Sequence, residues 1–235
     1  MLNKGLSVIL PVYNEEGNIS QVISRALEIL PSITCDFEII IVDDGSLDKT
    51  GNILERLRAC DARLKVLRHS RNLGYGAALR SGFKSAQKQL IFMMDADRQF
   101  DISDIAGLAA YIEDYDIVVG CRKKRRDPIY RSFFSHCFNS IGKFCFGIKF
   151  QDINCGFKLF KRESLQGMAL FSTGSIISAE ILTKAGINKL KIKQVVVNHY
   201  PRIHGRQTGA SLKVIFTILW EMGKLKMQIT KSPLR

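Results

Sequence analysis

The chain predicts an α/β fold with a mainly parallel sheet and helices on both faces. Two observations carry this. Through the first 120 residues, short apolar runs alternate with segments of helical periodicity. The apolar runs are also continuous rather than alternating, as strands buried on both faces require. A third observation concerns where the runs stop, since several end on polar or acidic residues that such a sheet would bring to one rim.

The elements follow in order. "LSVILPV" (6–12) reads as a buried strand, and "NISQVISRALEIL" (18–30) puts Ile19, Val22, Ile23, Ala26, Leu27 and Leu30 on one helical face behind Asn18 as N-cap. "FEIIIVDDGS" (37–46) is a second strand ending in a turn, followed by the helix "DKTGNILERLRAC" and a third strand "LKVLRH". "GYGAALRSGFKSAQ" is a glycine-led helix and "LIFMMDAD" a fourth strand. "ISDIAGLAAYIED" is a helix and "YDIVVGCR" a fifth strand. Beyond it, "NCGFKLFKRESL" reads as turn, short strand and helix start, "GSIISAEILTKAG" as a short helix, and "KLKIKQVVVNHY" as a strand. With 235 residues, no internal repeat and no low-complexity linker, one domain spans 1–210. An amphipathic segment, 211–235, follows it and faces a membrane or a partner.

Composition narrows the classes. A hydrophobic share of 46% excludes wholesale disorder. The net charge of +13 attracts polyanions such as anionic lipid headgroups or phosphorylated small molecules. Nucleic acid is excluded as the partner, because no recognition motif is present and acids at the strand ends would repel its phosphates. The six cysteines, at 35, 60, 121, 137, 145 and 155, form no C-x-x-C pair and no zinc spacing, so they read as small core residues in a reducing compartment. No leader pattern and no apolar run of the ~18 residues needed for a span appears, which predicts a cytoplasmic location.

The strand ends carry the chemistry. Asp95 and Asp97, two apart, can reach one hard divalent cation, Mg²⁺ or Mn²⁺, whose shell substrate phosphates and water complete. Such an ion would neutralise charge on a departing nucleoside diphosphate. In "DDGSLDKT", Asp43 can accept hydrogen bonds from a base or ribose, Gly45 permits the turn, and Ser46 or Asp48 can cap the next helix. "RNLGYGAALRSG" lacks both the G-x-G-x-x-G fingerprint and a phosphate-loop lysine, so its glycines serve close approach of the backbone to a sugar nucleotide or a neighbouring strand.

"VILPVYNEEGNI", "IIIVDDGSLDKT", "RNLGYGAALRSG", "MMDADRQF" and "DINCGFKLFKRE" together resemble the motifs of family 2 glycosyltransferases, and among them the polyprenyl-phosphate sugar synthases of the dolichyl-phosphate mannose synthase type. The resemblance covers roughly residues 5 to 210. It implies a Rossmann-like GT-A domain and inverting transfer of a hexose from a nucleotide-diphospho-sugar, of GDP-mannose or UDP-glucose type, to a polyprenyl phosphate. It assigns Pro11, Tyr13, Glu15 and Asp43 to the nucleotide, Asp95 and Asp97 to the metal, and Gln99 to the metal shell or donor. Arg122 falls where the family places an arginine for the acceptor phosphate. Arg131 and Ser135, four apart on one helical face, resemble the family's phosphate-gripping pair. The resemblance thus sets Asp97, Arg122, Arg131 and Ser135 about the reacting phosphates. "PRIHGRQTGAS" resembles a loop that closes over the donor diphosphate through Arg202, with Gln207 as a second candidate. Its serine, Ser211, is displaced, and Leu212 stands before Lys213.

A lipid phosphate is already an anion and needs no strong base, so catalysis is placement and leaving-group stabilisation. The alternative is a family 2 enzyme acting on a sugar hydroxyl, which would need an acid such as Asp152 or Glu180 as base. The basic run 122–131, with six cations in ten residues, precedes a Phe-rich stretch at 133–150. That composition predicts peripheral attachment to the cytoplasmic membrane face. A membrane-protein partner and a homo-oligomer are both compatible with the chain.

Overall fold

The structure, a computed structural model, describes residues 2–122, 150–204 and 220–227. Seven strands form one sheet: β1 Leu6–Val12, β2 Phe37–Asp43, β3 Leu64–Arg68, β4 Leu90–Met94, β5 Ile117–Arg122, β6 Phe157–Lys161 and β7 Ile192–Val197. Their spatial order is β3-β2-β1-β4-β6-β5-β7. The first four run parallel, as does the β5–β7 pair, whereas β6 lies antiparallel between β4 and β5. The parallel core is therefore as expected. The reversed β6 was not legible in a local apolar run, because strand direction follows from how the chain returns to the sheet.

Alternation along each strand divides two cores. Val8, Leu10, Ile39, Ile41, Phe92 and Leu159 face one side. They meet α1 (Ile19–Ile33), α2 (Thr50–Cys60), a 3₁₀ turn (Ile102–Asp104) and α4 (Ile105–Ala109). Ile9, Ile40, Val42, Ile91, Met93 and Phe160 face the other. They meet α3 (Tyr75–Ser85) and the helices Arg162–Gln166, Ile177–Ile187 and 220–227. A strand residue and its neighbour point to opposite faces, so continuous apolar runs serve both layers.

Several local expectations shift. Helix α1 buries Ile19, Val22, Ile23, Ala26 and Leu30 as the periodicity requires, but continues through Pro31 to Ile33. The Asn18 side chain does not cap it and instead donates Nδ2–H to Glu15 Oε2 at 2.6 Å. The helix expected from "ISDIAGLAAYIED" breaks into the 3₁₀ turn, five α-helical residues and further turns. Cys155 is buried, but Cys35 and Cys60 are exposed, so burial does not account for them. Their positions, a turn before β2 and the last residue of α2, are surface positions by topology.

Gly82 shows how closely α3 lies on the sheet. A Cβ there would stand 2.4 Å from Ile9 Cγ2 and 3.4 Å from Val42 Cγ2. Gly82→Ala gains about 1 kcal/mol of helix propensity but forces overpacking that costs roughly 1–3 kcal/mol. The expected result is a lower urea midpoint at unchanged denaturant slope; a raised midpoint would show that α3 can lift without cost.

Candidate active site

In the parallel part of the sheet the strand ends lie level. Val12 pairs with Asp43, and Asp43 with Arg68. Ile9 pairs with Met93, which puts Asp95 two residues beyond, on the same rim. Two of the three non-glycine residues with positive φ among the described residues, Asn14 at 54° and Arg98 at 63°, also sit at this rim. Conformations of that kind persist where surrounding bonds hold them. Asn14 has its own: its N–H donates to Ser46 Oγ at 2.9 Å, and its Oδ1 accepts from Leu47 N at 2.8 Å.

The acids are bound from several directions. Asp95 Oδ1 accepts from the Tyr75 hydroxyl at 2.8 Å, and its backbone N–H from the chain after β4 donates to Gly156 O at 3.1 Å. A Cβ on Gly156 would fall 2.0 Å from Asp95 Oδ2, so only glycine lets the segment before β6 pass. Asp97 Oδ1 accepts from Gln99 N at 3.1 Å, and Oδ2 faces Arg202 at 3.3 Å. Arg202 also pairs with Glu15 Oε1 and donates Nε–H to His204 O at 2.7 Å. One guanidinium thus ties the exit of β1 to the exit of β4, from a chain segment beyond β7. Gln99 Nε2 donates to Tyr200 O at 3.3 Å, fastening the 97–99 turn to that same segment.

Electrostatics follow from this crowding. Burial, and then the charge of Asp97, push the Asp95 carboxyl up to about 6, while Tyr75, Lys158 and Arg122 pull the other way. Burial also raises Glu15 against the opposing effect of Asn18 and Arg202. Two hard oxygen ligands whose ionisation is mutually opposed suit a divalent cation, so Asp95 and Asp97 fit one. Among the described residues no group of three His, Cys, Asp or Glu gathers as a complete metal cage.

The other sequence candidates divide clearly. Pro11 is buried in β1, and Tyr13 is exposed at its end. Asp43 is fully buried: Oδ1 accepts from Ser46 N at 2.8 Å, and Oδ2 has Arg68 Nε at 3.3 Å without an aligned hydrogen bond. Asp44 turns inward as a strut, accepting from Leu73 N, Gly74 N and the His69 ring. Arg122 is engaged in a two-pronged pair with Asp152, at 2.7 Å on both oxygens. Glu180 is fully buried and accepts from Phe171 N, Ser172 N and Lys184 Nζ. Arg131, Ser135, Gln207, Ser211 and Lys213 lie outside the described residues, as do the Phe-rich stretch up to residue 149 and most of 211–235.

Sequence reasoning missed three participants. Tyr75 reaches Asp95 from the first turn of the glycine-led helix, and that position at the same rim was the available signal. Lys158 is wholly buried in β6, donating to Cys155 O and to Ser178 Oγ at 3.2 Å, and nothing in "GFKLF" marks it as internal. Thr50 accepts from Glu15 N at 2.9 Å and holds the β1 exit against α2. Of the glycines in that segment, Gly82 lies against strands β1 and β2 as expected, and Gly74 and Gly76 have another neighbour. They admit the 172–174 loop, since Cβ atoms on Gly74 and Gly76 would stand 2.5 Å and 2.7 Å from its carbonyls.

Paired acids at the carboxyl ends of a mostly parallel sheet are an arrangement shared with nucleotide-sugar transferases, and comparison with known proteins agrees. Residues 7–168 match the model of glycosyl transferase family 2, and the chain belongs to that family. An undecaprenyl-phosphate 4-deoxy-4-formamido-L-arabinose transferase from Shewanella sediminis is 32% identical over 165 residues, 69% of this chain and 50% of that protein. A dodecaprenyl-phosphate galacturonate synthase from Rhizobium johnstonii is 31% identical over 206 residues, 85% of this chain and 60% of that protein. The chain therefore spans 50% to 60% of the length of these curated relatives. Glucosyl-3-phosphoglycerate synthase from Mycobacterium tuberculosis, crystallised with phosphoglyceric acid, superposes with a TM-score of 0.70 at 22% identity, over 94% of this chain and 81% of that one. A second crystal structure of that enzyme, with Mn²⁺, UDP-glucose and phosphoglyceric acid, gives 0.68 at 22% identity, over 94% and 80%. These likenesses establish a GT-A type fold.

The raised Asp95 carboxyl has a consequence for stability. Between the ordinary carboxylate value and about 6 the folded protein holds a proton that the unfolded chain has lost. Stability from this group is therefore present at low pH and falls as pH rises through that window. In chelator, Asp95→Asn is expected to be more stable than the parent above about pH 7, with the gain gone below about pH 4. Urea titrations at the two pH values test this; equal stability at both would mean that Asp95 ionises without penalty.

Proposed function

We propose that the protein is an inverting transferase that moves a hexose from a nucleotide-diphospho-sugar to a polyprenyl phosphate. The observation that carries this is the rim itself, where Asp95 and Asp97 stand beside an arginine that already links Asp97 to Glu15. The names of the two relatives, a lipid-phosphate transferase and a lipid-phosphate synthase, support the acceptor class. The crystal complexes of the mycobacterial enzyme with Mn²⁺ and UDP-glucose support a metal-assisted nucleotide-sugar donor.

In this reading Pro11, Tyr13, Glu15 and Asp43 receive the nucleotide. Arg68, which is over half exposed, swings off Asp43 Oδ2 and leaves that oxygen to a donor on the base or ribose. Asp95 and Asp97 hold Mg²⁺ or Mn²⁺, with Gln99 beside them; the bound ion would supply charge neutralisation at the leaving diphosphate. Arg202 exchanges Asp97 for a diphosphate oxygen, keeping a charge-assisted bond throughout. Tyr75 fixes the orientation of Asp95. Arg131 and Ser135 bind the acceptor phosphate, beside Arg122 in its pair with Asp152, and that phosphate attacks the anomeric carbon as the nucleoside diphosphate departs.

The choice between a phosphate and a hydroxyl acceptor turns on a base. Both acids that a hydroxyl acceptor would call on are committed: Asp152 to the Arg122 fork, and Glu180 to two backbone N–H groups and Lys184. A nucleophile that is already ionised suits such a site better. Peripheral attachment at the membrane face agrees with a lipid acceptor, and among the described residues no helix is long and apolar enough to cross a membrane.

Asp97→Ala is expected to lower transfer by about a hundredfold or more, and EDTA to stop transfer by the parent until Mg²⁺ or Mn²⁺ is returned. Full activity of the variant would remove Asp97 from the metal. With labelled nucleotide sugars and a mixture of polyprenyl phosphate and free glycans, label should pass into organic solvent; label on the glycans alone would favour the hydroxyl acceptor. Arg131→Ala should raise the polyprenyl-phosphate requirement about ten- to a hundredfold while leaving donor binding by calorimetry unchanged. The reverse pattern would take Arg131 out of the acceptor site.

A further inference from the structure

A second cluster of polar side chains lies away from the paired acids. Asp44 follows β2, His69 follows β3, and Ser81 stands in the second half of α3. β3 is the outermost strand on its side of the sheet, three strands from β4. At ordinary strand spacing the ends of the two strands are about 14 Å apart. His69 Nδ1 lies 2.6 Å from Asp44 Oδ1, and its Nε2 lies 2.9 Å from Ser81 Oγ. Asp44 is buried, the His69 side chain is 12% exposed, and Ser81 is half-buried.

The direction of the two bonds follows from what each atom can do. An ionised carboxylate only accepts, so His69 Nδ1 carries the proton and donates to Asp44. In the neutral ring Nε2 is then an acceptor, and the Ser81 hydroxyl donates to it. The ring is held in that tautomer. Asp44 is pinned by Leu73 N at 2.9 Å and Gly74 N at 2.8 Å, and the His69 backbone N–H donates to Asp43 O at 2.9 Å. Nucleophile to base and base to orienting acid are both within hydrogen-bond reach, which is the geometry that activates a serine.

We infer that Ser81 is a nucleophile that takes an acyl group from an activated ester. Oγ forms a bond to the acyl carbon while the bond from that carbon to the leaving oxygen breaks. The Oγ proton passes to His69 Nε2, Asp44 stabilises the imidazolium, and the proton then goes to the leaving oxygen. Beyond the first turn of α3 the backbone N–H groups are bonded within the helix, so they cannot serve the oxyanion. Lys84, exposed and three residues further along the helix, supplies a cation on that face. A lone exposed cation in place of two aimed N–H groups favours a single acylation over rapid turnover. The site is therefore one of covalent modification, independent of sugar transfer.

The full chain is treated with p-nitrophenyl acetate. Acetylated peptides are mapped by mass spectrometry before and after hydroxylamine, which releases esters and spares lysine amides. The parent should carry an acetyl ester on Ser81, formed with a stoichiometric burst of nitrophenolate. Ser85, half-buried one turn along the same helix and without a histidine partner among the described residues, should stay unmodified. That comparison lies within the parent and needs no variant. His69→Gln keeps an amide N–H for Asp44 but loses the base, and should slow acetylation about a hundredfold or more. Ser81→Ala should abolish the ester and leave sugar transfer unchanged. Urea midpoints show that each variant is folded when its labelling is read. No ester on Ser81, equal acetylation of Ser85, or an unchanged rate in His69→Gln would each overturn the assignment and leave the cluster a tie between β3 and α3. A fall in sugar transfer by folded Ser81→Ala would overturn its independence from the rim.

Discussion

Like charges gathered at one rim of the sheet are the constraint to which the rest of this molecule responds. Parallel strands in register bring Glu15, Asp43, Asp95 and Asp97 to one rim. Left alone, they would repel one another and gain protons. The protein answers with cations and donors brought from distant parts of the chain. Arg202 comes from beyond β7, Tyr75 from the first turn of α3, and Arg68 from the end of β3. Each joins an acid without removing it from the rim, so the charge is balanced in place.

That arrangement makes Arg202 a counter-ion with two partners. It stabilises the ligand-free rim by pairing with Asp97 and Glu15, and a metal-bound diphosphate would compete for the same positions. Deeper in the sheet, Lys158 is a buried ammonium beneath the same acids, and burial lowers its pKa. Breaking a buried pair is costly because it leaves one charge uncompensated. The network around Asp95 therefore resists piecemeal change, and its raised carboxyl marks the stability given up where two acids are crowded in a buried place.

The second answer is close backbone approach. Gly156, Gly74 and Gly76 admit chain segments that any side chain would exclude. Through them the 172–174 loop seals the start of α3 and carries helix 220–227.

Much of this was determined by the sequence itself. Continuous apolar runs fixed the strands, because a run buried on both faces has few alternatives. The periodicity of 19–30 placed the buried face of α1 residue by residue. That the Asp95–Asp97 pair and the "DDGS" turn would share one rim was legible because both follow strands of one parallel sheet. Tertiary structure decided the rest. Which way β6 runs, that Asp44 becomes a strut for the 73–74 backbone, and that Asn18 holds Glu15 instead of capping α1 were all decided by the fold. So was the pairing of Arg122 with Asp152, thirty residues apart. A residue's own type sets what it can bond to; only the fold sets what it meets.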